Sequence, residues 1–390
     1  MGWGKSTDTH AAHANCVTCM LLLVVSLAAS ASSTDPPSMR LAAACHAFAR
    51  RGPMFNAVPK EVGAEEWASH GGALASQLLP DDPRAAEAVP EDLDAAVAAR
   101  VYHLYLPVFF WCRDLVRAHR AANADGPALA IGLSAPQGCG KTTLVDFLVD
   151  RFAAEKLTCA AASSDDFYLT GEAQDKLSAD HPDNPLLKVR GNAGSHDMRL
   201  GSTTLRALIG EAGVAPPQRS VPVVRYDKSA RGGRGDRAAE AQWAQQSLPV
   251  DVVLLEGWMA GFKPVAAEAA VLEKHAGLRE VNRLLGAYDA WHDPLGAWVV
   301  VAADSVQHVF AWRLQAERAM AAAGRPGMSD AQVQDFVDRY MPAYDAYLPA
   351  LHAAARGGGV DGKPTLLVHV DGARAPTEDP QRGGGAGGAP

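Results

Sequence analysis

A chain of 390 residues, 48% hydrophobic and 21% charged, has apolar material for one large domain or two ordinary ones. A formal charge of −8 excludes a broad nucleic-acid-binding surface, so an anionic ligand must be met by a local basic cluster. Six cysteines in a chain this long exclude a disulfide-built scaffold.

Residues 1–52 contain only two acids, Asp8 and Asp35, among many Ala and Ser. The apolar run from Met20 to Ala31 is too short to span a membrane and fits a signal-peptide core or part of a transit peptide. The expectation is a leader over residues 1–52, removed from the mature protein and carrying the lone Cys16-x-x-Cys19 pair with it. Residues 53–126 read as a helical region. Val97, Val101, Tyr105 and Leu106, then Phe109, Phe110, Leu115 and Val116, recur near one face, and Pro107 predicts a kink or break. Asn123 to Pro127 reads as a polar linker into the domain expected over residues 127–372.

The most informative stretch follows. Leu129 to Leu133 reads as a buried strand, Ser134 to Gly140 as a glycine-bearing turn, and Lys141, Thr142 and Thr143 open a helix. This strand–loop–helix order is that of a phosphate-binding loop. Gly138 and Gly140 let the backbone N–H groups around Cys139 point at phosphate oxygens, and the helix N-terminus adds partial positive charge. Lys141 reaches the β- and γ-phosphates and Thr142 places a hydroxyl on Mg²⁺. The pattern departs from G-x-x-x-x-G-K-[ST] at its first position, Ala135, which adds only a Cβ. Cys139 is read as a small loop residue.

Further along, Cys159 to Ser164 reads as a second strand ending in Asp165 and Asp166, and Gly171 to Asp197 as a long functional loop region. Val221 to Val224 reads as a third strand, Asp251 to Leu255 as a fourth ending at Glu256, and Ala297 to Ala302 as a fifth. Helices are expected from about Val306 to Ala323 and from Ser329, an N-cap, through Phe336. Thr365 to Val370 reads as the last strand, and residues 373–390, rich in Gly and Pro, as a disordered tail. Alternating strands and helices predict an α/β fold with a mostly parallel sheet flanked by helices, preceded by the helical extension. Ligands on such sheets sit beyond the carboxyl ends of the strands. Lys141, the Asp165–Asp166 pair, Arg225 with Asp227, and Glu256 all follow strands and are expected in one crevice.

Those residues suit phosphoryl transfer, which needs a held triphosphate, a divalent metal, a positioned hydroxyl and positive charge over the transferring group. Thr142 and Glu256 are the expected Mg²⁺ partners. Asp165 and Asp166 point to opposite sides in an extended backbone, so one can accept a proton from a substrate hydroxyl while the other caps or meets solvent; both can equally start a helix. Arg190, Arg225, Lys228, Arg231, Arg234 and Arg237 lie in glycine-rich loops and suit a small carboxylate or phosphate. His196 with Asp197 is a candidate substrate contact in a glycine-rich loop. Arg313 and Arg318, five apart on the long helix, do not share a face well, so one at most reaches a phosphate. The residues alone therefore point to a small-molecule phosphotransferase using ATP and Mg²⁺. A non-catalytic nucleotide-binding regulator is the rival from another class, and no N-K-x-D guanine motif supports a GTPase-type switch.

The segments SAPQGCGKTTL, SSDDFYLT, LLKVRGNAGSHD, VPVVRYDKSARGGRGDR, LLEGWMAGFKP, AWRLQAERAM and GMSDAQVQDFVDRYMPAYDAYLP together resemble the D-glycerate 3-kinase family of plants and algae, in unbroken order from about Asp92 to Val370. That family is similar to uridine kinase, pantothenate kinase and phosphoribulokinase. The resemblance implies a P-loop kinase fold with a five-stranded parallel core, and phosphorylation of D-glycerate by ATP to 3-phosphoglycerate in the photorespiratory route of the chloroplast stroma. A kinase acting on a nucleoside or a pantothenate-like alcohol is the alternative. It further implies Asp165 as the base, with Asp166 as the alternative, and Gly138, Cys139, Gly140, Lys141, Thr142 and Thr143 around ATP. Arg190, His196, Asp197, Arg225, Tyr226 and Asp227 would meet the substrate, Arg313 would serve as the lid cation, and Thr142 with Glu256 would hold the metal. The mature protein is expected to meet neither membrane nor nucleic acid.

Overall fold

A computed structural model describes residues 36–211, 219–324 and 327–380 of the chain. Its centre is a six-stranded sheet in the order β10-β9-β8-β1-β7-β2. The five strands β1 (Leu129–Ser134), β2 (Cys159–Ser163), β7 (Val252–Gly257), β8 (Ala297–Ala303) and β9 (Thr365–Val370) run parallel. A short edge strand, β10 (Pro376–Thr377), pairs antiparallel to β9. Every residue of β1 is buried, as expected for a parallel strand covered on both faces, and that is why it reads as an unbroken apolar run.

The third strand expected from sequence, β3 (Ser220–Val223), lies outside this sheet. It pairs antiparallel with β6 (Ala244–Ser247), and between them β4 (Tyr226–Asp227) pairs with β5 (Asp236–Arg237). Pro222 has no N–H to donate and so disfavours a central place in the sheet, and the glycine-rich turn folds the segment back on itself as a ribbon.

Among the helices, α1 spans Pro37–Ala49, α2 Ala64–Leu78 and α3 Ala95–Ala122. α3 is long and apolar enough to cross a membrane, yet its aromatic face is buried inside the protein. Pro107 does not break it. The turn Arg100–Tyr105 widens into a π-helix, with the Leu106 N–H donating to the carbonyl of Val101, and the helix accommodates the proline just beyond. α4 (Lys141–Ala154) packs on β2 and β7, and α3 packs on α4 through Phe109, whose ring lies 6.1 Å from Phe147 and 5.7 Å from Phe152.

Buried Arg113 ties the two regions together, donating to Glu66 at 2.6 Å and to Glu155 at 3.1 Å. Burial alone would raise the Glu155 carboxyl, but Arg113 and Arg117 hold it below the usual range. Glu66, His70 and Glu155 approach one another as metal ligands do, but these arginines already compensate the carboxylates.

Two boundaries shift from expectation. The leader expected over residues 1–52 falls partly outside the described residues, but α1 is part of the fold: Cys45 and Ala49 are fully buried in the core. The tail expected from residue 373 begins with ordered chain, since β10 extends the sheet. Two helices were hidden in the region read as loop and just after it: α5 (Gly171–Asp180), capped by Thr170, and α6 (Met198–Ile209), capped by Asp197. α7 (Leu278–Leu285) precedes β8, and α8 (His308–Ala322) follows it. α9 (Asp330–Asp338) begins at Ser329 in a capping box with Gln332, and α10 (Met341–Arg356) packs on β8 and β9.

Candidate active site

β1 delivers the chain into the loop Ala135–Gly140. Gly138 and Gly140 hold φ of +80° and +99°, in the left-handed region that disfavours a side chain. At Gly138 the approach is also tight, because a Cβ would stand 2.7 Å from Cβ of Trp312 on α8. Ala135, at the place of the missing glycine, is buried, and its N–H donates to the carbonyl of Gly257 at 3.3 Å. Its methyl group therefore sits inside the protein, where it leaves the loop intact. Lys141 folds back over the loop and donates from Nζ to the carbonyls of Ala135 and Pro136, both at 3.1 Å. Thr142 and Thr143 are exposed at the start of α4. Cys139 is half-buried, and burial pushes its thiol up despite neighbouring Lys141, so the thiolate is disfavoured.

Glu256 is the penultimate residue of β7, the strand between β1 and β2, in register with Leu133 on one side and Ser163 on the other. Burial raises its carboxyl, Lys141 opposes that shift, and the Ser163 hydroxyl is a partner. No ion pair within 4 Å satisfies Glu256 among the described residues. A half-buried strand-end carboxylate without a cationic partner, in the field of the loop lysine, suits a divalent cation shared with the Thr142 hydroxyl.

β2 ends in the single turn Ser164–Phe167, which separates the adjacent acids. Asp165 accepts from the Tyr168 hydroxyl at 3.0 Å and from Lys228 Nζ at 2.7 Å. Burial would raise its carboxyl, but Lys228, His196 and Lys141 together hold it below the usual range. Asp166 points the other way. It accepts the Tyr226 N–H at 3.0 Å and Arg225 Nη1 at 2.9 Å, and burial raises its carboxyl. Asp165 thus lies on the Lys141 side with its carboxyl held low, and Asp166 anchors the ribbon.

The remaining candidates gather around that ribbon. Arg190 donates to the carbonyls of Gly233 (3.0 Å), Lys228 (3.4 Å) and Arg234, and lies over the Tyr226 ring. Asp227 accepts from the N–H and hydroxyl of Ser229 in a local turn. Asp197 caps α6 at Leu200 and pairs with Arg237 at 3.0 Å. His196 is buried, with Nδ1 2.6 Å from the Tyr288 hydroxyl and its ring stacked 4.4 Å from Tyr168. Burial pushes its pKa down to about 4, against the pull of Asp165, so it is neutral at pH 7. Arg313 pairs with Glu317 one turn on and lies over Phe336, and Arg318 is exposed beside Asp330.

Three further residues reach the loop from far away in sequence. The Tyr344 hydroxyl accepts the Gln137 N–H at 3.0 Å. Tyr340 is buried beside it, and burial together with the charge of Asp165 pushes its hydroxyl up to about 12. Arg374, just past β9, donates from Nε to the Gly138 carbonyl at 2.8 Å and lies over the Trp312 ring. The available signal was the tyrosine-rich run after α9, but nothing in its spacing points at a loop some two hundred residues earlier.

No protein-family model matches the chain. Among relatives, D-glycerate 3-kinase, chloroplastic, of Arabidopsis thaliana is 43% identical over 338 residues, covering 84% of this chain and 71% of that protein. The probable ATP-dependent kinase TDA10 of Saccharomyces cerevisiae is 38% identical over 231 residues, covering 56% of this chain and 78% of its own. Among solved structures, D-glycerate 3-kinase from Cryptococcus neoformans superposes with a TM-score of 0.60 at 30% identity, covering 70% of this chain and 96% of that one.

Proposed function

Because the chain belongs to the D-glycerate 3-kinase family, we propose that it transfers the γ-phosphoryl group of ATP to the 3-hydroxyl of D-glycerate, giving 3-phosphoglycerate and ADP. The hydroxyl oxygen forms the new bond to phosphorus, and the bond from phosphorus to the β–γ bridging oxygen breaks with its electron pair leaving on ADP. Asp165 takes the hydroxyl proton. The observation that carries this reading is the placement of the two acids: among the described residues the Asp165 carboxylate is met only by the side chains of Tyr168 and Lys228 and lies in the field of Lys141, whereas Asp166 is fixed to the ribbon by the Tyr226 N–H and Arg225. The loop amides around Gly138, Cys139 and Gly140, with Lys141 and Thr143, hold the triphosphate. Thr142 and Glu256 would hold Mg²⁺, which would neutralise negative charge on the triphosphate. Arg190, Arg225 and Tyr226 shape the acceptor side, and His196 and Asp197 brace it from behind through Tyr168 and Arg237.

The segment ahead of α1 acts as the targeting sequence, and the chloroplast, to which the name of the Arabidopsis relative assigns that protein, is the proposed destination, with its stroma as the compartment and photorespiratory glycerate as the substrate pool. The test is acceptor-dependent ADP release with D-glycerate, L-glycerate, uridine and pantothenate. Release with D-glycerate alone, abolished by Lys141→Ala, is expected. Turnover only with another alcohol rejects the substrate, and ATP binding without turnover rejects the enzyme.

A further inference from the structure

We infer that Lys228 is a catalytic residue of this transfer: its ammonium leaves Asp165 and moves onto the transferring phosphoryl group as Asp165 takes the substrate's proton. The inference rests on the proposed glycerate kinase reaction and deepens it.

The basic cluster of the ribbon is mostly occupied. Arg225 is held by Asp166, Arg231 and Arg234 by Asp175, Arg237 by Asp197, and Arg190 by backbone carbonyls. None of those partners changes charge during the reaction. Lys228 differs, because its partner is the base itself, Asp165 Oδ2, at 2.7 Å. Its backbone is fixed, and among the described residues its ammonium pairs with Asp165 alone. Arg190 grips its carbonyl, Asp166 pins Tyr226 two residues before it, and Asp227 closes the turn onto Ser229 just after it. The side chain remains 60% exposed. Arg313, the lid cation expected from sequence, is engaged with Glu317 and Phe336 instead.

The geometry then sets the order of events. A hydroxyl in contact with Asp165 attacks a phosphorus about one bond length further on. An ammonium touching the same carboxylate therefore stands within reach of the equatorial phosphoryl oxygens. Lys141 approaches those oxygens from the nucleotide side, and Lys228 does so from the acceptor side. When the proton moves from the hydroxyl to Asp165, the carboxylate becomes neutral and the ion pair with Lys228 loses its Coulomb attraction. At the same moment negative charge crosses toward the acceptor, and the ammonium keeps its three protons while exchanging one oxygen partner for another. A cation that meets the phosphoryl group only in the transition state acts on kcat rather than on ground-state binding.

The test uses the full chain once wild-type turnover with D-glycerate is in hand; absence of that turnover rejects the proposed function, not this role. Lys228→Ala and Lys228→Met should lower kcat about 10²-fold with both KM values within roughly threefold of wild type. Ethylammonium added to Lys228→Ala should restore part of the rate, and Lys228→Arg should retain more activity than Lys228→Met. A purely structural lysine would show neither rescue nor graded response. Wild-type kcat in Lys228→Met, a loss confined to the KM for D-glycerate, or a loss of kcat that no amine restores would each overturn the assignment.

Discussion

At the scale of single residues, the two adjacent acids differ by what reaches them. Asp165→Asn removes the proton acceptor while keeping the side chain's size, so kcat should fall by about 10²–10⁴ with ATP affinity nearly unchanged. Asp166→Asn keeps an acceptor for the Tyr226 N–H but weakens the ion pair with Arg225, so its effect should appear as a raised KM for D-glycerate. Steady-state kinetics of both variants, with ATP binding by calorimetry, separate the roles. Near-wild-type kcat in Asp165→Asn would pass the base to Asp166. Spacing alone does not say which acid faces the crevice, because Asp165 and Asp166 are adjacent and chemically alike; the family resemblance favours Asp165, with Asp166 as the alternative. The distinction comes from Lys228, Arg225 and Tyr226, some sixty residues later, on a ribbon whose fold was itself misplaced in the sequence reading. Lys141 needed no such context, since strand, loop and helix are contiguous.

At the scale of elements, the phosphate loop is held by parts that close onto it from the far end of the chain. α10 supplies Tyr344 to the Gln137 amide, and the turn after β9 supplies Arg374 to the Gly138 carbonyl. α10 escaped the sequence reading because Pro342 and Pro349 both fall in it. Pro342 occupies the first turn, where no N–H is needed, and Pro349 lies inside the helix, where the surrounding packing of Tyr344, Tyr347 and Leu351 outweighs its cost. The same limit hid the role of residues past 372, since glycine and proline content describes a linker equally well as an ordered turn with an edge strand. Arg374→Ala leaves Gly138 with one anchor fewer, at an exposed site where little stability is at stake. It should raise the KM for ATP several-fold, leave the KM for D-glycerate unchanged and shift the thermal midpoint by no more than about 2 °C. Unchanged ATP kinetics would mean that Trp312 and the glycine conformations suffice to shape the loop.

At the scale of the whole molecule, the helical extension and the kinase sheet share one core, which bears on where a leader can be cut. Composition separates residues 1–52 from the rest, because scarce acids and abundant Ala and Ser continue into α1; burial draws the line elsewhere. Cys45 is fully buried with Sγ 3.3 Å from the Tyr102 hydroxyl, and the Phe48 ring stacks 4.6 Å from His103, both on α3. α3 in turn packs Tyr105 and Phe109 against Phe147 of α4, the helix that opens with Lys141. Removing α1 therefore uncovers apolar surface on α3, the helix that packs behind α4. A chain beginning at residue 53 should be less stable than one beginning at residue 36 by roughly 3 kcal/mol, the scale of deleting one large buried side chain. Urea unfolding of the two chains measures the difference, with the midpoint falling and the slope changing little. Because the loss is transmitted through α3 and α4, the shorter chain should also lose ATP affinity on warming before its fluorescence reports global unfolding. Equal midpoints for the two chains would show that α1 is dispensable and that the processed protein starts beyond it.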